Sequence, residues 1–379
     1  MKKTASLLLT VIFGLLLAYG WYSSRNGSGS KTGGLSSIAN LSAATTIKGK
    51  ISLDVEPLFK DERFIELARK NRIIFNVTRV GSREMITMVS EKNNDFFFAS
   101  GLVAGNAVQE EAKKIGLPAK VTSPLFSPVV IASWSKLGEI LENEGLAKKV
   151  ATAQATLPVW LVDWKGLVSL MANRTKWKDL RHNKSYSSSK PILISTTDPR
   201  KSNSAALYLA MVSKELNNGE YPSNNELARK SGFTIGTDFF KRQGFQESYV
   251  NGAFDDWASI GIGKSPLVWV YEFQIIERGL NGGLPAGAAI FHTRPTMVNK
   301  EVLVSLSPNG DRVMEFFALP EVKELAATKG LRGAPVEFMK KIAVKSGVDA
   351  DMQLVDQVDP PNSDIMFTLL AGAAEALSN

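Results

Sequence analysis

The sequence predicts an α/β fold, and three observations carry that expectation. Strand-like and helix-like stretches alternate from Ile47 to the carboxyl end. Twice a β-branched apolar run stops at a hydroxyl-bearing loop with a helix-spaced segment behind it. One instance is Pro191 to Ala210, PILISTTDPRKSNSAALYLA; the other is Ile73–Val80 followed by Gly81-Ser82. The 379 residues are 44% apolar and 22% charged, the composition of a folded protein. Such alternation packs as a mostly parallel or mixed sheet with helices on both faces. The length leaves room for two globular units or one large one.

At the amino end, Lys2-Lys3 precede an uncharged stretch from Thr4 to Ser24, TASLLLTVIFGLLLAYGWYSS. A helix of that length crosses a bilayer. Positive charge on its amino side orients that end inside and the rest of the chain outside. Ala18-Tyr19-Gly20 also offers a small-x-small cleavage step, so 1–25 reads as a membrane anchor or a signal segment. Either way the body is exported. Residues 26–46, rich in Gly, Ser and Thr, read as a flexible linker, and the body is expected to begin near Ile47.

Within the body, Lys48–Val55 is a strand and Asp61–Lys70 a helix with Phe64, Ile65 and Ala68 on one side. Ile73–Val80 is a second strand, and Ser82 stands as N-cap to a helix presenting Met85, Ile86 and Val89 on one face. Asp95–Ser100, DFFFAS, is a buried strand ending at Gly101, and Pro128–Trp134 is another. Leu137–Leu146 and Trp164–Ala172 are helical. Ile192–Thr196 is a strand stopped by Asp198-Pro199, and an Ala/Leu-rich helix follows the loop Arg200–Ser204. Asn224–Ser231 and Asp238–Gly244 are helical, then Ser265–Glu272 is a strand running into a helix over Phe273–Arg278. Ala288–His292 and Val302–Leu306 are strands; Asp311–Leu319 and Glu321–Lys329 are helices separated by Pro320. The last helix, from about Ser363 to Leu377, is too short in its apolar run for a second span.

Several function classes lack their residues. The net charge of +8 is spread along the chain without a dense basic run, which argues against nucleic acid as a partner. With no cysteine and only two histidines, His182 and His292, no metal site and no thiol chemistry are expected. Gly261-Ile262-Gly263-Lys264-Ser265 resembles the end of a P-loop, but Ala258 stands where glycine is required and Pro266 follows the serine. Asp255-Asp256 has no nucleophile or histidine nearby, and no Gly-x-Ser-x-Gly occurs. No enzyme activity and no cofactor are expected.

The loops that carry chemistry fall at the carboxyl ends of strands, where open α/β sheets gather ligands. Ser82, Ser100, Ser202, Ser204 and Tyr271 are candidate contacts, with Arg83 and Asn203 beside them and Arg200 as a further charge. Hydroxyls and free N–H groups at a helix start donate to anionic oxygens. The plainer reading is that Ser82, Ser202 and Ser204 only cap helices.

The order of these motifs resembles the periplasmic-type (type 2) solute-binding proteins, with their molybdate-, sulfate- and phosphate-binding members. Gly81-Ser82-Arg83 and Asp95–Ser100 are similar to that family's first serine loop and the strand after it. Ile192–Ala210 resembles its second-lobe strand and loop, Leu267–Glu272 its return strand, and Leu319–Val322 with Gly330–Arg332 its closing helices. Ser202-Asn203-Ser204 departs from the proline step usual in molybdate-type loops. The resemblance implies a bilobed periplasmic-binding-protein-like fold, two mixed-sheet α/β lobes joined by crossover strands behind an N-terminal transmembrane helix. Lobe 1 would comprise 47–135 and 271–379, and lobe 2 136–270. It also implies a membrane-tethered, extracytoplasmic protein that captures a small polar or anionic solute between the lobes for a permease or a sensor. The alternative is a surface protein-interaction module on the same scaffold.

Overall fold

The computed structural model describes residues 44–379 other than 92, 153–154, 245, 247–250, 350–353, 355 and 379. The expected anchor, and the linker up to residue 43, lie outside the described residues. Among the described residues no helix is long and apolar enough to cross a membrane.

The chain enters the fold at β1 (Thr45–Ile51), followed by α1 (Glu62–Lys70), β2 (Ile73–Arg79), β3 (Phe96–Ser100) and α2 (Leu102–Lys114). The long strand β4 (Lys120–Trp134) leads to α3 (Ser135–Asn143), β5 (Ala147–Val150), β6 (Val159–Asp163) and α4 (Trp164–Ala172). Next come α5 (Asn203–Leu216), α6 (Asn225–Ile235), α7 (Asn251–Ser259), β7 (Val268–Tyr271) and α8 (Glu272–Leu280). The chain closes through β8 (Ala288–Arg294), β9 (Thr296–Ser305), α9 (Pro308–Ala318), α10 (Pro320–Ala327), α11 (Val336–Ser346), β10 (Gln357–Val358) and α12 (Ser363–Ser378).

Two strands join two lobes. The first half of β4 pairs antiparallel with β9, in the order β2-β1-β3-β9-β4, with β1–β2 and β1–β3 parallel. Its second half pairs with β7 and β8, and β8 continues through β6 to β5. Pro128 sits where the partner changes, opposite Val298 on one side and next to Val129, which faces Tyr271. Proline is tolerated there because a strand leaving one ladder for another has a residue that need not donate.

Alternation divides the first lobe's core into two layers. Phe96 and Phe98 of β3 join Phe59, Phe64, Phe316 and Phe317 on one face, while Phe97 and Ala99 join Val108 and Val302 on the other. The second lobe has a single larger core in which Trp160, Trp164, Tyr208 and Trp269 are fully buried.

The structure corrects four expectations. Ile192–Thr196 makes no ladder: Ser195 forms one parallel bridge to Val268, the Ile192 N–H goes to the Thr175 carbonyl, and the Thr196 N–H goes to the Gln243 side chain. Ile192 and Ile194 are nonetheless buried, so the apolar run reports core rather than strand. The segment after Ser82 is a 3-10 turn over Glu84–Met88. β4 begins eight residues before Pro128, because Pro124 falls in the register shift between Thr122 and Leu125.

The fourth correction concerns the lobes. Strand pairing and core membership carry Val129–Trp134, the stretch from Tyr271 through β8, and α11 and α12 into the second lobe rather than the first. α12 crosses α6 so closely that a Cβ on Gly232 would overlap the Leu369 carbonyl oxygen, and one on Gly372 the Arg229 carbonyl oxygen. Alanine in an open helix favours folding over glycine by about 1 kcal/mol. Gly232→Ala is expected to do the reverse here, lowering stability by about 1–3 kcal/mol through overpacking. Urea unfolding of the chain measures this, and an unchanged or raised midpoint would contradict the close crossing.

Candidate functional site

Between the lobes lies a cavity of about 480 Å³. Ser82, Arg83 and Ser100 line it from the first lobe; Ser202, Asn203, Ser204 and Tyr271 line it from the second. All seven residues singled out in the sequence therefore share one space.

On the first-lobe side, Ser82 does not cap a helix. Its Oγ accepts the N–H of Ser100 at 2.9 Å, tying the loop after β2 to the end of β3. Arg83 reaches across the cleft, and its Nη1 donates to the Pro199 carbonyl at 3.1 Å. Its Nη2 is buried and has no hydrogen-bond partner. Burial pulls the guanidinium pKa down and Asp198 opposes that shift; an arginine side chain stays charged regardless.

On the second-lobe side, Asp198 builds the turn that starts α5. Its Oδ1 accepts the Arg200 N–H at 2.9 Å, and its carbonyl accepts the N–H groups of Lys201 at 3.1 Å and Ser202 at 2.9 Å. The Arg200 guanidinium closes on the same carboxylate at 2.7–3.0 Å, so this arginine neutralises Asp198 instead of serving the cavity. Ser202 makes no side-chain cap bond. The first N–H groups of α5 are thus left unpaired within the helix, at the positive end of its dipole. Ser204 is 1% exposed, and its Oγ has no partner either.

The floor is a continuous polar network. Ser100 and Glu301 are opposite each other on β3 and β9, on the face that carries Phe96, Phe98 and Leu303 deeper in the lobe. The core face turns polar where the strands reach the cleft. Ser100 Oγ donates to Asp54 Oδ2 at 2.6 Å and lies 3.4 Å from Glu301 Oε1. Asn299 Nδ2 donates to Glu301 Oε1 at 2.8 Å and to Ser100 Oγ at 3.0 Å. Asn203 Nδ2 donates to Asn299 Oδ1 at 3.1 Å and to the Tyr271 hydroxyl at 3.2 Å, joining the lobes. Gly101, at φ +93°, makes that joint possible: a Cβ there would stand 2.8 Å from Asn203 Oδ1.

Burial pushes the Asp54 carboxyl up to about 6, against a hydrogen bond from Ser100. Burial also raises Glu301 well above the usual carboxyl range, and the neighbouring Asp54 charge adds to it. Both carboxyls therefore hold their protons to higher pH than an exposed carboxyl does.

Neither a family model nor a curated protein matches the sequence. Solved structures do match its fold. The substrate-binding protein of an ABC transporter from Agrobacterium tumefaciens superposes at a TM-score of 0.51 and 13% identity, over 90% of this chain and 96% of that one. The ferric binding protein from Campylobacter jejuni gives 0.50 at 12% identity, over 87% and 97%. A periplasmic binding protein gives 0.50 at 12% identity, over 88% and 99%. The fold is that of the periplasmic substrate-binding proteins. At such identities the likeness is one of fold, and the cleft between the lobes is read from this chain's own residues.

Sequence reasoning missed Asp54, Asn299 and Glu301. Asp54 was hidden by extending the first strand to Val55, whereas β1 stops at Ile51 and leaves Ser52-Leu53-Asp54 at a further strand end. Glu301 left a readable mark: it sits in the period-2 register of Leu303, so its side chain points with the core. Other candidates resolve as structure. Asp255 pairs with Arg278, and Asp256 lies 3.9 Å from Lys264. His292 is 1% exposed beside Glu272, and burial lowers its pKa to about 3.

A pH prediction follows from Asp54. A carboxyl raised on folding stabilises the native state below its unfolded pKa, and that contribution is lost as pH rises through about 6. Asp61, held low by its hydrogen bonds from Arg63, and Asp311, held low by Lys120, change only under more acid conditions. His292, buried neutral, works in the opposite direction below its unfolded pKa, so wild type alone does not isolate Asp54. The difference between wild type and Asp54→Asn removes the His292 contribution and reports Asp54 together with its coupling to Glu301. Moving from pH 7.5 to 5 is expected to stabilise wild type relative to the variant by on the order of 1 kcal/mol. Urea titrations at the two pH values measure it, and a parallel response of both proteins would contradict the assignment.

Proposed function

We propose that this protein is an extracytoplasmic solute-binding protein that captures a small polar or anionic solute between its lobes and presents it to a transporter or sensor. The reading rests chiefly on one observation. Two buried donors without partners, Arg83 Nη2 and Ser204 Oγ, belong to residues from opposite lobes that line the same cavity beside the start of α5. Buried polar atoms are nearly always satisfied in folded proteins, so two such donors at one cleft call for a ligand acceptor. The periplasmic-binding fold supports the reading, and binding needs no catalytic step. Ligand contact with both lobes favours the closed arrangement by its differential affinity for that state.

The uncharged stretch Thr4–Ser24 behind Lys2-Lys3 supports an outward-facing body, held by the anchor or released by cleavage. Alkaline carbonate extraction of membranes from cells producing the full chain separates these: the anchored form stays in the pellet.

The function test is a thermal melt of the full chain against sulfate, phosphate, molybdate, small carboxylates, phosphonates and amino acids. Binding to the folded state alone raises the midpoint. Arg83→Gln and Ser204→Ala are each expected to weaken affinity for the stabilising compound by about tenfold, the scale of one lost hydrogen bond to a charged group. Ser82→Ala should instead lower the unliganded midpoint, since its oxygen serves Ser100. A melt that no compound moves, with a protein partner recovered through the cleft face, would favour the interaction-module reading.

A further inference from the structure

The cavity wall holds a second unpaired charge, of the opposite sign. Asp54 lines the same space as Arg83 and Ser204 and is partly exposed to it. Its Oδ2 accepts from the Ser100 hydroxyl, and among the described residues no cation lies within 4.0 Å of its carboxylate. Arg83 likewise has no carboxylate within that distance, so the two do not neutralise each other. Among the other charges in the wall, Arg200 is held by Asp198 and Arg79 lies 3.9 Å from Glu56; Lys201 stands beside Arg200, and Glu84 accepts the Gly81 N–H at 3.2 Å.

Resting on the solute-binding reading above, we infer that the ligand is a small zwitterion. Its acidic group meets Arg83, Ser204 and the α5 N–H groups, and its protonated amine meets Asp54. A free inorganic oxyanion satisfies the first set and is repelled by the second. At 4–6 Å in a partly buried site, such a repulsion is worth several kcal/mol at an effective dielectric near 20 and subtracts from what Arg83 gives an oxyanion. An ammonium group turns the same carboxylate into a partner.

Size points the same way. The cavity of about 480 Å³ exceeds a single water's share of liquid volume, about 30 Å³, by an order of magnitude. A tetrahedral oxyanion would leave most of it empty, whereas a molecule with two charged ends fills more of it. Contacts also link the two ends: Arg83 follows Ser82, Ser82 holds the Ser100 N–H, and the Ser100 hydroxyl holds Asp54. Cation and anion therefore sit on one connected wall. Glu301 beneath is fully buried, and it engages Asn299 and Ser100 rather than the cavity.

Titration calorimetry and melts of the full chain at pH 7.5 test this with matched probes. The zwitterions are β-alanine, 5-aminovalerate, L-serine and 2-aminoethylphosphonate. Their amine-free counterparts are propionate, valerate, lactate and ethylphosphonate, and the inorganic set is sulfate, phosphate and molybdate. At least one zwitterion is expected to bind at least tenfold more tightly than its amine-free counterpart and than any inorganic ion. Asp54→Asn should abolish that preference while leaving affinity for the counterpart unchanged or improved. Asp54→Ser serves as a second variant, and an intact cooperative melt shows that each variant folds. If an inorganic or amine-free anion binds as tightly as every zwitterion, or if the preference survives in both Asp54 variants, the zwitterion assignment is overturned and solute binding stands. If no probe in any set binds, both fall together.

Discussion

Everything at the cleft depends on the antiparallel pairing of β4 with β9. These two strands are the frame on which both lobes are hung, since β4 exchanges β9 for β7 and β8 at Pro128. Their register decides which residues arrive at the gap. With Ser127 opposite Asn299 and Leu125 opposite Glu301, the β9 residues Asn299 and Glu301 reach the cleft on the face that carries Leu303 in the core. A shift of one residue would turn these polar groups to the far side and bring Lys300, with Val298 or Val302, into the site. The ladder thus sets the chemistry of the cavity floor before any loop contributes.

The floor holds two carboxyls in unequal settings. Two ionised carboxylates sharing one serine would repel each other, which favours protonation. Burial raises the fully buried Glu301 well above the ordinary carboxyl range, and Asp54, partly open to the cavity, to about 6. Asn299 donates to Glu301 and to Ser100 and ties the group together. A different solution operates elsewhere between the lobes. There Glu272, fully buried, forms a two-point pair with Arg332 at 2.6 and 2.8 Å, and nearby His292 stays neutral. An arginine supplies the compensating charge inside the protein in that case; at Asp54 none of the described residues does.

Much of this arrangement was legible in the sequence, for reasons that can be traced. The turn Asp198-Pro199 and the Ala/Leu spacing after it marked α5, and DFFFAS marked a strand buried on both faces. Because loops at strand ends converge in an α/β sheet, seven residues far apart in the chain could be assigned to one place. The failures have equally specific causes. Pro124 and Pro128 made a fifteen-residue strand look like a short one, although one marks a register shift and the other a change of ladder. Ile192–Thr196 has the composition of a strand, but its N–H groups go to a loop carbonyl and a glutamine side chain. Asp54 and Glu301 were passed over because the first strand was read on to Val55 and the strand near the end was read only from Val302. Only the register of β9 and the true end of β1 distinguish them from surface residues.

Strong and weak contacts are also unevenly distributed between the lobes. Around the cavity the lobes meet through single neutral or singly charged hydrogen bonds, Arg83 to the Pro199 carbonyl and Asn203 to Asn299. Each such bond contributes roughly 0.5–3 kcal/mol net. Elsewhere between the lobes, Arg332 follows Leu331 of the first-lobe core and bridges to Phe126 of β4, while Glu272 opens α8 on the second-lobe side. Removing one partner of a buried pair of this kind costs about 3–5 kcal/mol, because the remaining charge is stranded. Separating the lobes across the cavity therefore breaks contacts that water replaces, whereas separating Glu272 from Arg332 would strand a buried charge. The contacts across the cavity are the weaker of the two sets.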